Sequence, residues 1–141
     1  MNHRAVLMSI KPQYADMIFA GTKKVELRRV CPKIEQGDLV LVYVSGPRMA
    51  LVGGFVVDGI ISATPAGLCR SHLKQSGLNR VTFMNYFEGT SQAYGIIIGR
   101  TWQFEEATEL AALRRRKGGF QPPQSYRYVR HGEFKGMFEG R

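Results

Sequence analysis

Gly21-Thr22-Lys23-Lys24-Val25-Glu26-Leu27-Arg28-Arg29 packs four basic residues and one carboxylate into a turn and a short strand. With Lys24 to Arg29 extended, side chains alternate between faces. Lys24, Glu26 and Arg28 then share one face, and Val25 and Leu27 the other. An apolar side backed by a side carrying both charge signs suits the wall of a solvated groove that receives an anionic or polar ligand. An exposed strand with weak cross-strand ion pairs has the same pattern.

The flanking sequence sets this strand in a fold. Upstream, Ala5 to Ile10 is an apolar run of strand length. Lys11-Pro12 opens a helix, with proline suited to the first helical position. Tyr14, Met17 and Ile18 recur at helical spacing and predict a core-facing side, and Gly21 is placed to end the helix in a left-handed cap. Downstream, Cys31 to Asp38 reads as a loop and Leu39 to Val44 as a nearly all-apolar strand. Ser45-Gly46-Pro47 is turn chemistry. Ala50 to Ile61 reads as a long strand in which Gly53-Gly54 predicts a bulge, a bend or a close backbone approach. Pro65 to Ser76 predicts a helix stopped by Gly77, and Asn79 caps another that runs toward Gly89. Ala93 to Phe104 predicts a strand, Glu105 to Arg116 a helix acidic at its start and basic at its end, and Ser125 to Val129 a last strand. About five or six strands with short helices between them predict a small mixed barrel or curled sheet.

The chain has 141 residues, enough for one self-sufficient core. We read residues 1–129 as the domain and 130–141 as a polar tail with scattered aromatics. Its net charge of +9 implies a polyanionic partner bound in a salt-dependent way, nucleic acid foremost. Cys31 and Cys69 fit no ligand spacing, so neither a zinc site nor a disulfide framework is expected. No apolar run approaches the ~20 residues of a membrane span, and no leader pattern precedes the first strand. A cytoplasmic, monomeric protein without metal or cofactor is the expectation.

Catalytic signatures are sparse. His3, His72 and His131 fall near the terminus, in a helix and in the tail, which makes a Ser-His-Asp triad hard to assemble. No phosphate loop or dinucleotide fingerprint occurs. Arg114-Arg115-Arg116-Lys117 could clamp phosphate without sequence preference, or serve as a solvated helix end. Tyr126 and Tyr128 flank Arg127, so on a strand the two rings share the face opposite the guanidinium. Phe83 and Phe87, four apart on a helix, and Trp102 read as core.

Several of these segments together resemble the ASCH domain of the PUA-like superfamily. The likeness rests on Met8-Ser9-Ile10-Lys11-Pro12, on Tyr14-Ala15 and Ile18, and on Gly21 to Arg29. It extends through Val42 to Pro47, Val52 to Phe55, Phe83, Tyr86 to Gly89, Ala93-Tyr94 and Pro123 to Tyr128, so that it covers about residues 5 to 129, nearly the whole chain. The resemblance implies an α+β, PUA-like small mixed β-barrel with flanking short helices and a cleft near the first helix. It also implies RNA as partner, since relatives bind RNA and several recognise modified bases. One branch hydrolyses an acetylated cytidine through Gly-x-Lys-x-x-Thr-x-Arg, in which the lysine activates the threonine. Gly21, Lys23 and Arg28 match that motif, but Glu26 stands at the threonine position, and a carboxylate cannot serve as that hydroxyl nucleophile.

The expected function is therefore a nucleic-acid-binding module that holds a nucleotide or base in a basic cleft. Lys23, Lys24, Arg28 and Arg29 would meet phosphates at its mouth. Glu26 would accept from a base or hold Lys23 and Arg28 in place, Lys11 and Ser45 would sit within reach at strand ends, and Gln124, Ser125 and Tyr126 would line the opposite wall. The alternative is a hydrolase on RNA or a modified nucleoside, with Lys23 and Glu26 as acid and base. A third reading is a DNA-binding or transcriptional accessory, with the helix ending at Arg116 as its recognition element.

Overall fold

The computed structural model describes residues 3–138. Met1, Asn2 and the end of the expected tail, 139–141, lie outside the described residues. The elements in chain order are β1 (Ala5–Ile10), α1 (Pro12–Ala20), β2 (Val25–Arg28), β3 (Leu39–Val44), β4 (Ala50–Ala63), α2 (Pro65–Ser76), α3 (Arg80–Tyr86), β5 (Ala93–Glu109), α4 (Leu110–Arg116) and β6 (Tyr126–Tyr128). One six-stranded sheet runs β2-β5-β4-β3-β1-β6. It curls into a half-barrel flanked by the helices, the small mixed barrel expected from the sequence. β1 and β3 pair in parallel, Ala5 opposite Leu39 through Ile10 opposite Val44, and the other pairings are antiparallel.

A parallel pair cannot be joined by a tight hairpin, so the chain must cross over between β1 and β3. α1 and β2 form that crossover, and this is why the charged strand follows the first helix so closely. α1 starts at Pro12 and ends at Gly21, whose φ of 83° is the left-handed cap. The Gly21 and Thr22 N–H groups donate to the carbonyls of Ile18 and Met17. This cap turns the chain sharply enough for Lys23 to point back under the helix.

Strand alternation divides the apolar residues between the two sheet faces. Val6, Met8, Ile10, Val40, Val42 and Val44 join Ala15 and Ile18 of α1 inside the curl. Leu7, Leu41, Tyr43, Leu51 and Trp102 pack on the outer face against Leu113, Phe120, Phe134 and Met137. Leu39 to Val44 reads as almost wholly apolar because both its faces are covered. A third cluster seats α2 and α3 on β2 through Val25, Leu27, Leu68, Cys69, Phe83 and Phe87.

Gly53-Gly54 marks a close approach combined with irregular register. A Cβ on Gly54 would overlap the Trp102 ring and lie 2.5 Å from the Val40 carbonyl oxygen. The β4–β5 register shifts between Leu51 and Gly53.

One expectation requires correction. The strand expected to stop at Phe104 continues to Glu109, and only Leu110–Arg116 is helical. Ala50 and Leu51 pair with Glu109 and Thr108, so β4 recruits the acidic segment as strand. The described part of the tail is anchored, with Phe134 and Met137 buried. The Trp102 indole N–H donates to the Met137 carbonyl at 3.1 Å. Among the described residues no helix is long and apolar enough to cross a membrane.

Candidate nucleic-acid interface

Between the start of α1, β2 and α3 lies a cavity of about 550 Å³. Its lining includes Lys11, Tyr14, Lys23, Glu26, Arg28, Asn85, Tyr86 and Gln124. Three charged groups meet there. Glu26 is the centre: its Oε1 stands 3.6 Å from Lys23 Nζ, and its Oε2 accepts from Arg28 Nη2 at 3.0 Å. Arg28 Nη1 donates to Ser125 Oγ at 2.9 Å, which ties β2 to the segment leading into β6. Glu26 and Arg28 are two apart on β2, so they share the inward face as the alternation predicts.

Lys23 reaches the same point by a different route. It precedes β2, is only 2% exposed, and donates to the Ser76 carbonyl at 2.6 Å where α2 ends. Its ammonium also lies 5.1 Å from the centre of the Tyr14 ring. Burial lowers the pKa of this lysine, and the adjacent Glu26 carboxylate only partly offsets the effect. Two cations thus grip one carboxylate in a site largely withdrawn from water, while the Arg28 Nε is buried without a partner in the protein.

α3 supplies the opposing wall. Asn79 caps it by accepting from the Thr82 N–H at 2.8 Å. Phe83 and Phe87 face the core, their rings 5.2 Å apart. Thr82, Asn85 and Tyr86 therefore turn toward the cavity. The Tyr86 hydroxyl donates to the Leu27 carbonyl at 3.1 Å, and burial raises its pKa.

Of the residues expected at the site, Lys11, Lys23, Glu26, Arg28 and Gln124 line the cavity, and Ser125 supports it through Arg28. The others lie elsewhere. Lys24 is exposed ahead of β2, its N–H donating to the Gln75 carbonyl. Arg29 turns to the end of α3 and donates to the carbonyls of Tyr86 and Glu88. Tyr126 uses its hydroxyl to accept from the Lys33 N–H at 2.9 Å, and Tyr128 donates to the Lys33 carbonyl, so both rings brace the loop before β3. Ser45 borders a neighbouring hollow. Lys23, expected at the cleft mouth, is on its floor.

Sequence reading passed over Thr82 and Asn85. The signal was present, because Thr82, Asn85 and Tyr86 stand at i, i+3 and i+4 and form a polar stripe opposite Phe83 and Phe87. A shallower hollow of about 710 Å³ beside Lys11, Asp16 and Arg48 gathers only exposed charged side chains. Among the described residues no group of three or more His, Cys, Asp or Glu side chains is placed to hold a metal ion.

The order of these segments and the convergence of Lys23, Glu26 and Arg28 on one cavity agree with a direct family match. The ASCH domain family model matches residues 8–117. The chain belongs to the ASCH domain family. It is 26% identical over 132 residues to an ASCH domain-containing ribonuclease from Zymomonas mobilis subsp. mobilis, covering 94% of this chain and 88% of that protein. The crystal structure of ASCH from Zymomonas mobilis has a TM-score of 0.86 to this chain at 25% identity, over 92% of this chain and 90% of that one. The N-terminal domain of Staphylothermus marinus McrB shares the fold, with a TM-score of 0.60 at 10% identity over 97% of both chains.

Proposed function

We propose that this ASCH domain binds single-stranded RNA and holds one base in the cavity between α1, β2 and α3. The observation that carries the proposal is the Lys23–Glu26–Arg28 cluster at the floor of an otherwise open cavity, with Lys23 and Glu26 buried and Arg28 half-buried. Such a cluster offers a base both kinds of hydrogen-bonding partner. Glu26 accepts from an exocyclic amino group, while Arg28 and the amides of Asn85 and Gln124 meet ring carbonyls and nitrogens. Tyr14 and Tyr86 provide aromatic faces at the edge, the usual means of holding an unstacked base. The overall charge of +9 supplies the sequence-independent attraction. Kinship with a protein named a ribonuclease supports RNA as the polymer.

The test is a titration of labelled single-stranded RNA at increasing salt. Binding weakens with a log–log slope of roughly −0.7 per phosphate contacted. Absence of binding at low salt refutes the reading. Glu26→Gln is expected to shift base preference away from amino-bearing bases in a panel of homopolymers.

The second reading is RNA hydrolysis at the same cavity, favoured by the named activity of the Zymomonas relative and by the lowered pKa of Lys23. A lysine that gives up its proton more easily is a better general base at neutral pH, and Glu26 is placed to exchange the proton with it. Incubation of RNA with and without divalent metal decides between holding and cutting. Turnover that survives Lys23→Ala places the chemistry elsewhere.

A further inference from the structure

The base cavity does not end at Lys11. Ser9, Lys11 and Gln124 also line an adjoining hollow of about 450 Å³, closed on its far side by Tyr43, Ser45 and Arg114. Its lining residues include two basic side chains, Lys11 and Arg114, three hydroxyl-bearing residues, Ser9, Tyr43 and Ser45, and no Asp or Glu. Arg114 is the first basic residue of the run that ends α4. Its Nε donates to the Phe120 carbonyl at 3.3 Å, and no carboxylate stands within ion-pair distance of it among the described residues.

Tyr43 makes this hollow more than a basic patch. The residue is 2% exposed, and its hydroxyl is buried without a hydrogen-bond partner. A buried hydroxyl without a partner is costly, so this one calls for an acceptor. Burial raises its pKa, against the pull of the Arg114 charge, which keeps it a donor at neutral pH. Glu109, the acid within electrostatic reach, is held by Arg48 at 2.7 Å. Lys11 is also the N-cap of α1, which has no acidic residue in its first turn and no side-chain cap, so the positive end of the helix dipole lies beside it.

We propose that the hollow formed by Lys11, Tyr43, Ser45 and Arg114 is a phosphate site for the nucleotide whose base enters the neighbouring cavity. The proposal rests on the base-binding reading for its ligand, and on its own residues for the anion. The shared wall of Ser9, Lys11 and Gln124 puts phosphate and base on either side of one short span, as in a single nucleotide. The phosphate is either terminal or an internucleotide diester.

The test has two arms. In the first, inorganic phosphate is titrated into the isotope-labelled chain and amide shifts are followed by NMR. Shifts at Ser45, Gly46 and Arg114 that vanish in Arg114→Gln and persist in Arg115→Gln establish the site, whether or not the cavity takes a base. Shifts spread evenly over the basic surface, or unchanged by Arg114→Gln, overturn it. In the second arm the four ribonucleosides are compared with their 5′- and 3′-monophosphates and with dinucleotides. A monophosphate or dinucleotide is expected to bind about tenfold or more tightly than its nucleoside, and the gain is lost in Arg114→Gln and reduced in Tyr43→Phe. Monophosphate preference assigns a terminal phosphate, and dinucleotide preference a diester. Nucleoside and nucleotides binding equally well refutes the phosphate site and leaves the base cavity standing. Arg114 is exposed, so its replacement leaves the fold intact.

Discussion

Replacing Glu26 by glutamine keeps the shape of the side chain and removes the carboxylate between two cations. Lys23 Nζ then retains the Ser76 carbonyl at 2.6 Å and loses Oε1 at 3.6 Å, while Arg28 loses its 3.0 Å ion pair. Water cannot replace the lost partner at a lysine that is 2% exposed. Breaking one side of a buried ion pair costs about 3–5 kcal/mol when the remaining charge has no escape. Lys23 has one, because it can lose its proton. Neutralising a lysine of ordinary pKa 10.5 at pH 7 costs about 5 kcal/mol at 1.36 kcal/mol per unit, which sets the ceiling. Part of that cost is already present, since burial lowers the pKa in the native protein. With the Ser76 bond surviving, the expected loss of stability at pH 7 is about 2–3 kcal/mol.

The pH dependence has a definite sign. In the variant the folded-state pKa of Lys23 falls further below its unfolded value of 10.5. Between those two values the unfolded chain binds the extra proton, so stability rises with pH. The deficit is therefore largest at neutral pH and shrinks as pH climbs toward 10.5. Urea unfolding of both proteins at pH 7 and pH 9.5 measures it. The double variant Lys23→Met with Glu26→Gln is expected to recover a large share of the loss, because it leaves no unpaired ammonium. A single-variant loss below about 0.5 kcal/mol, equal at both pH values, would refute the picture of an ammonium held by Glu26.

Glu133 anchors the C-terminal segment by accepting from Arg127, Lys117 and the Arg130 N–H. Burial alone would raise its pKa, but these donors hold it down from 4.5 to about 2. A depressed carboxylate contributes stability above its unfolded pKa and loses it as pH falls through the folded value, here from 4.5 to about 2. Glu133→Gln should cost about 2 kcal/mol at pH 7, discounted for the partly exposed Lys117 and Arg127, and nothing by about pH 2, as read by thermal unfolding across pH. Gly54→Ala should cost about 3 kcal/mol, measured by denaturant midpoint, because the new Cβ meets the Trp102 ring and the Val40 carbonyl.

The fold was legible wherever local chemistry and burial agreed. Pro12 and Gly21 bracket α1, Asn79 caps α3, and the six apolar residues of β3 are covered on both faces. It was not legible at Glu105 to Glu109. Their acidic composition suits a helix start, and only the long-range pairing with Ala50 and Leu51 makes them strand. The packing of the tail was not legible for a related reason: Phe134 and Met137 stand in a largely polar sequence, and their burial depends on Trp102 and Phe120 already forming a surface to receive them.

The site divides along the same line. The pairing of Glu26 with Arg28 follows from strand alternation and needs no tertiary information. The position of Lys23 does not, because it lies outside the strand and its direction is set by the Gly21 cap and by the end of α2 at Ser76. A lysine in a basic run reads as a surface cation that meets phosphate. Once folded, it is the most enclosed of the four cations in that run, while Lys24 and Arg29 remain outside the cavity. The distinction bears on function, because a surface lysine contributes attraction that salt screens, whereas one buried against Glu26 is screened far less. Salt should therefore weaken binding through Lys11 and Arg114 and leave discrimination between bases at Glu26 almost unchanged. Affinity and selectivity measured across the same salt series separate the two.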